Sequence, residues 1–296
     1  LFKPEGIIPA LVTPFDEYGD INENAFRKLI RRTIDQGCHG VFCLGSNGEF
    51  VSLDDNEKVK LAQIAIDESA GEVPVYAGTG TNSTKRTIEL NKRMSEIGIT
   101  AVSVITPYYV GLSQQELISY YDEIANATEL PIILYNIPKI TGNSLDPASV
   151  KKISQHKNVV AIKDSSGNFD YTLQLIEGKD SDYSVLIGTD SLILPSLMAG
   201  ADGAIAATAN FVPKTVSSIY NDWQKGDYES AQKNQNWLKK VRGAFKLGTM
   251  PSVLKEAVTA SGIEVGLPRK PVQPLSNEAS KELHKVIDQY RKAGLI

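Results

Sequence analysis

The chain has 296 residues, 42% hydrophobic and 22% charged, the composition of an ordinary globular protein and a length that suits one large barrel or two small domains. A net charge of −4 and a pI near 5.6 argue against nucleic acid or an anionic membrane as its main partner. No run approaches the roughly 20 apolar residues of a membrane span, and the N-terminus carries no signal-peptide core, so a cytoplasmic protein is expected.

Short apolar runs alternate with longer amphipathic stretches, the pattern of repeated βα units. Strands are expected at Gly6–Val12, Gly40–Leu44, Val73–Ala77, Ala101–Ile105, Ile132–Tyr135, Val159–Ile162, Ser184–Ile187 and Gly203–Ala206. Between them Glu23–Gln36 sets Phe26, Leu29, Ile30 and Ile34 on one helix face, and Asp54–Glu68 follows a Ser52/Asp54 cap region. Thr87–Ile97, Gln114–Ala127, Pro147–Ser154 and Ser191–Ala199 continue the helical series. Eight such units fit a closed parallel (β/α)₈ barrel better than an open dinucleotide-binding sheet, because the turn after the first strand is Thr13-Pro14-Phe15-Asp16 rather than a glycine-rich pyrophosphate cradle. Lys214–Lys225, Glu229–Phe245, Ser252–Ser261 and Asn277–Ala293 then read as helices. The expected organisation is a barrel core over 1–212, with the last barrel helix and an appended C-terminal helical layer over 213–296, all one structural unit.

Two cysteines, Cys38 and Cys43, are too few for a disulfide framework and read as buried free thiols. His39, His156 and His284 lack metal-ligand spacing, so no metal is expected. Gly78 to Lys85 lacks the Gly-Lys-Ser/Thr ending of a phosphate loop, and Ser83 or Thr84 is better read as a helix cap.

Barrel chemistry gathers at the C-terminal ends of the strands. There the sequence places Gly45-Ser46-Asn47-Gly48-Glu49, Gly78-Thr79-Gly80, Thr106 to Tyr109, Tyr135 to Pro138, Lys163-Asp164-Ser165 and Gly188-Thr189-Asp190. Lys163 directly follows Val159–Ile162, so its stem should leave a buried strand. An ammonium there must be paired or deprotonated, which leaves two uses open: a nucleophile toward carbonyl carbon, or an electrostatic clamp for a carboxylate or phosphate. Tyr135 could shuttle protons beside that amine or simply pack as a rim aromatic. The Gly45–Gly48 turn offers backbone N–H groups to a carboxylate, or is only a tight turn.

Together, Gly45-Ser-Asn-Gly-Glu49, Tyr108-Tyr109, Tyr135-Asn-Ile-Pro138, Thr141-Gly142 and Lys163 resemble the dihydrodipicolinate synthase/N-acetylneuraminate lyase family, over nearly the whole chain from Gly6 to Pro274. The resemblance implies a pyruvate-dependent, Schiff-base-forming lyase on a barrel with C-terminal helices, assembled as a homotetramer of tight dimers. It implies that Lys163 forms the imine with pyruvate or a related 2-keto acid and serves in place of a separate cofactor. Tyr135 would be the proton shuttle, and Ser46 and Asn47 the pair whose N–H groups hold the keto-acid carboxylate, Ser46 also relaying protons. Tyr109 would complete a neighbour's site across the dimer. Gly188 and Ile205, the latter through its carbonyl, would line the substrate. Asp190 is read as a partner for a substrate hydroxyl or as a solvated rim carboxylate.

Members that make dihydrodipicolinate resemble Tyr-Asn-Val-Pro-x-Arg-Thr-Gly, where the arginine holds the carboxylate of aspartate semialdehyde. This chain has Ile140 there, beside Lys139, and a branched apolar side chain cannot make that pair. Neuraminate lyases usually show Ser-Thr in place of Ser46-Asn47, Asp-Glu in place of Asp190-Ser191, and a serine where Ala207 aligns. The expectation is therefore an aldolase cleaving or forming the C–C bond between pyruvate and an aldehyde, on a 2-keto-3-deoxy sugar acid. The Gly-Ser-Asn-Gly-Glu turn also resembles 4-hydroxy-2-oxoglutarate aldolases. Dihydrodipicolinate synthase, neuraminate lyase, a dehydratase and a non-catalytic 2-keto-acid-binding protein are the alternatives.

Overall fold

The apolar runs become eight strands in the computed structural model, which describes residues 2–180 and 182–296. They are β1 (Gly6–Pro9), β2 (Val41–Cys43), β3 (Val75–Gly78), β4 (Ala101–Ile105), β5 (Ile132–Asn136), β6 (Val159–Asp164), β7 (Ser184–Ile187) and β8 (Gly203–Ala206). All pair in parallel in the order β1-β8-β7-β6-β5-β4-β3-β2. The two ends of that order meet where Ala10 bridges Phe42 and the Leu11 N–H donates to the Phe42 carbonyl at 2.8 Å. This is a TIM barrel. The first strand is shorter than Gly6–Val12 because the chain beyond Ala10 turns away, with the Val12 N–H taken by the Asn210 side chain at 3.0 Å.

Outside the strands lie α1 (Glu23–Asp35), α2 (Asp55–Ser69), α3 (Thr84–Glu96), α4 (Gln114–Asn126), the single turn α5 (Pro138–Thr141), α6 (Pro147–Ile153), α7 (Phe169–Gly178), α8 (Ile193–Met198) and α9 (Pro213–Gln224). The longer helices α1 to α4 and α7 start at polar caps. Asp54 and Glu57 form a reciprocal capping box on α2, Ser113 and Glu116 do the same on α4, and Ser83 accepts from the Arg86 N–H at the head of α3. Helix α7 is the element the periodicity missed. Its buried face is only Thr172 and Leu175, and Thr172 is held by a hydroxyl bond to Asp164 at 2.8 Å rather than by apolar contact.

Strand alternation divides the core in two. Ile8, Ala10, Phe42, Tyr76, Ala101, Ile133, Ala161, Leu186 and Ile205 fill the barrel interior, while their neighbours Ile7, Val41, Ile132, Leu134, Ile162, Val185 and Ala204 face the helices. The inner set mixes bulky Phe42 and Tyr76 with small Ala101 and Ala161, as interdigitating layers require.

The C-terminal layer is α10 (Tyr228–Ala244), α11 (Ser252–Ala260) and α12 (Asn277–Lys292). Leu283, Ile287 and Tyr290 of α12 are fully buried, in the same cluster as Leu238 and Val241 of α10 and Phe211 beyond β8. Tyr290 meets Phe211 edge-on at 5.1 Å and donates its hydroxyl to the Trp237 carbonyl. These contacts fix α10 against the barrel, which matters because α10 reaches the mouth of the site. Among the described residues no helix is long and apolar enough to cross a membrane.

Candidate active site

Parity decides which rim residues enter the barrel. Ala161 faces inward on β6, so Lys163, two residues on, does too; Ile133 carries Tyr135 inward in the same way, and Leu186 carries Gly188. Register then sets Tyr135 directly beside Lys163 and Lys163 beside Leu186. The intervening Asp164 points outward, where it accepts from Ser166, Thr172 and Asn136.

Lys163 is 4% exposed. Its Nζ lies 4.0 Å from the centroid of the Tyr135 ring and 5.1 Å from that of Phe42, and no hydrogen bond or ion pair joins it to another described side chain. No carboxylate commits the amine to a structural ion pair, which leaves it open to a substrate. The Tyr135 hydroxyl in turn lies 3.4 Å from Ser46 Oγ, long for a hydroxyl–hydroxyl bond but placed to tighten. The amine thus rests against the face of the Tyr135 ring, and the hydroxyl of that ring faces Ser46.

Ser46 and Asn47 open a turn that only unusual backbone can make. Leu44 and Glu49, on either side, both hold positive φ, at 62° and 56°, although neither is glycine. At Gly45 an added Cβ would come within 2.6 Å of the Phe42 ring, so the turn needs glycine there. The strain at Glu49 is held by its buried carboxylate. One oxygen faces Lys255 Nζ at 2.8 Å, and the other accepts from the Arg269 N–H at 2.8 Å. Lys255 is 1% exposed, also donates to the Leu267 carbonyl, and is pulled down to about 8 by burial, against the opposing pull of Glu49. Arg269 continues to Glu57 and the Ser52 carbonyl. The Ser46-Asn47 turn is thereby tied to both α11 and the segment after it.

These residues surround a cavity of about 400 Å³ at the C-terminal ends of the strands. Of the expected site residues, Lys163, Tyr135, Ser46, Asn47, Gly188 and Ile205 line it. Gly188 must be small, since an added Cβ would collide with Ser165 Oγ and stand 3.0 Å from Lys163 Cε. Two expected residues lie elsewhere. Tyr109 does not line the cavity of this single chain; it is 95% exposed, at a positive φ of 79°. Asp190 is 1% exposed and takes the backbone N–H groups of Ala207 and Thr208, at 3.3 and 2.7 Å. It braces the turn after β8, and neither the substrate-hydroxyl partner nor the solvated rim carboxylate describes it.

Thr141 and Ile140 also line the cavity, with Ile140 63% exposed and Thr141 fixed by the Thr106 hydroxyl at 3.0 Å. Arg242, Phe245 and Met250 come from the C-terminal layer. Sequence reasoning missed these three, because looking only after strands never reaches the end of α10 or the stretch that follows it.

The fold and the lysine-centred cavity place the chain among barrel enzymes with carbonyl chemistry at the strand ends. The profile of the dihydrodipicolinate synthetase family matches residues 3–290, and the chain belongs to that family. It is 37% identical to the 4-hydroxy-tetrahydrodipicolinate synthase of Methanopyrus kandleri over 297 aligned positions, covering 100% of this chain and 98% of the relative. The crystal structure of dihydrodipicolinate synthase DapA-2 from Bacillus anthracis superposes with a TM-score of 0.94 at 33% identity, covering 97% of this chain and 99% of that one. YagE, a prophage protein of the same family from E. coli K12 solved in complex with pyruvate, superposes with a TM-score of 0.92 at 32% identity, covering 99% of both chains. Enzymes of this family are pyruvate-dependent lyases, and the chain is an enzyme of that class.

Proposed function

We propose that the chain joins pyruvate to an aldehyde through an imine on Lys163, and that its reaction is that of the 4-hydroxy-tetrahydrodipicolinate synthases, with aspartate semialdehyde as the aldehyde. The observation that carries the chemistry is the buried, anion-free Lys163 amine packed on Tyr135, whose hydroxyl faces Ser46. In its neutral form the amine attacks the pyruvate ketone, and water leaves as Tyr135 supplies a proton. The protonated imine acidifies C3, and loss of that proton gives an enamine whose carbon attacks the aldehyde. Hydrolysis of the new imine returns the amine, so no separate cofactor is required. In this reading the N–H groups of Ser46 and Asn47 hold the pyruvate carboxylate, which the presence of both residues in the cavity lining supports.

The relatives above support the synthase over the expected sugar-acid aldolase. One observation keeps cleavage of a 2-keto-3-deoxy sugar acid as a second reading: Ile140, apolar, occupies the rim position of the synthase arginine. Tyr109, standing clear of its own chain, supports assembly in which it completes a neighbour's site, in a homotetramer of tight dimers. Two buried free thiols support a cytoplasmic protein.

Borohydride reduction in the presence of pyruvate tests the imine; covalent labelling of wild type but not Lys163→Ala is expected. Condensation with L-aspartate semialdehyde would then be compared with cleavage of 2-keto-3-deoxygluconate, 4-hydroxy-2-oxoglutarate and N-acetylneuraminate. Absence of labelling would remove the lyase reading, whereas labelling with activity only on a sugar acid would replace the synthase by the second reading.

A further inference from the structure

The chain contains eight arginines, and in seven of them the guanidinium donates to a carboxylate, a hydroxyl, a side-chain amide or a backbone carbonyl. Arg242 is the exception among the described residues. It is half-buried in the last turn of α10 and lines the mouth of the Lys163 cavity. The Phe245 ring stands 5.2 Å from its guanidinium carbon. A half-buried guanidinium with no hydrogen-bond acceptor is costly to hold, so a fixed one at a cavity mouth points to a ligand that supplies the acceptor.

The charge of the cavity says which ligand. Among the described residues no aspartate or glutamate lines it, and its two cationic side chains are Lys163 at the floor and Arg242 at the mouth. Lys163 must be neutral to react, which leaves Arg242 as the standing charge. Phe245 and Met250 join Arg242 from the C-terminal layer, so the acceptor-seeking guanidinium is the one charged group that this layer brings to the cavity. We propose that Arg242 is a specificity residue that binds an anionic group at the far end of the second substrate. A planar fork that shares the cavity lining with no cation but Lys163 suits a carboxylate better than a phosphate dianion. This inference rests on the pyruvate-lyase reading and deepens it: the aldehyde is an acid, held from α10 rather than from the loop that carries Ile140.

The test compares aldehydes in wild type and Arg242→Met, which keeps much of the side-chain bulk and removes the fork. With pyruvate saturating, KM is measured for L-aspartate semialdehyde, for neutral D-glyceraldehyde and for D-glyceraldehyde 3-phosphate. Loss of one charge-assisted pair predicts a rise of roughly 10- to 100-fold in KM for the carboxylate aldehyde relative to the neutral one. Arg242→Lys should recover part of it. Equal changes for both aldehydes, or no change, would overturn the proposal, as would a wild-type preference for the phosphorylated aldehyde. Borohydride labelling of wild type with pyruvate alone separates the two levels: unlabelled wild type fails the lyase reading, while labelled wild type with an insensitive Arg242→Met fails only this one.

Discussion

Breaking the Glu49–Lys255 pair tests how the Ser46-Asn47 turn, proposed to bind the pyruvate carboxylate, is held. Both side chains are buried, at 5% and 1% exposure, and among the described residues Glu49 Oε1 has no hydrogen-bond donor, only the ion pair with Lys255 Nζ at 2.8 Å. Lys255→Met leaves a buried, half-satisfied carboxylate, and Glu49→Gln leaves a buried ammonium whose remaining partner is the Leu267 carbonyl. Each single variant should lose about 3–5 kcal/mol, the usual cost of removing one member of a buried pair. The double variant removes both charges and should be at least as stable as wild type, because burial already disfavours the ammonium more than Glu49 favours it. Urea unfolding of the four proteins gives the cycle, and KM for pyruvate reports the turn, since Glu49 directly follows Ser46–Gly48. Single variants that cost less than about 0.5 kcal/mol, or a strictly additive cycle, would refute the coupling. So would stability losses that leave KM for pyruvate unmoved, because the pair would then brace the fold without holding the turn.

The same pair predicts a pH dependence. Lys255 falls from 10.5 to about 8 on folding, so between those values the unfolded chain binds the extra proton and stability rises with pH. Wild type should therefore gain on the order of 3 kcal/mol relative to the Glu49→Gln/Lys255→Met variant between pH 8 and 10.5, and a flat difference would contradict it. Gly188→Ala would push a methyl against Ser165 and Lys163 Cε, costing about 1–3 kcal/mol and slowing pyruvate labelling at least roughly tenfold; unchanged labelling would show that Lys163 has room to move. Burial pushes the Cys38 and Cys43 thiols up to about 12, so both should resist thiol reagents at pH 8 until the chain opens. Rapid stoichiometric labelling of the native protein would refute that environment.

Strand chemistry was legible in the sequence because parity is local. Once Val159–Ile162 is read as a buried strand, Lys163 has only two faces to choose between, and a barrel makes one of them the site. Tyr135 and Gly188 follow by the same count. Helix α7 escaped because a polar Thr172–Asp164 bond replaces part of its apolar face, leaving periodicity little to detect. Asp190 was misplaced for a related reason. A carboxylate at a strand end can turn to substrate or to the next turn's N–H groups, and the choice depends on Ala207 and Thr208, which are adjacent only after folding.

Arg242 marks the deeper limit of that method. Nothing within α10 distinguishes it from the basic residues near it, Lys239, Lys240 and Lys246, and a cation in a helix's last turn is expected anyway for its dipole. What singles it out is α12, whose Tyr290 packs under Trp237 and Phe211 and so brings the end of α10 over the barrel mouth. The groups proposed to react sit on strands whose parity cannot drift without unfolding the barrel. The residue proposed to choose the second substrate sits on an appended helix held by side-chain packing, where its environment can change without disturbing Lys163. On this division, a substitution at Ile140 or Arg242 should alter which aldehyde is accepted, whereas one at Tyr135 or Gly188 should impair reaction with every aldehyde alike.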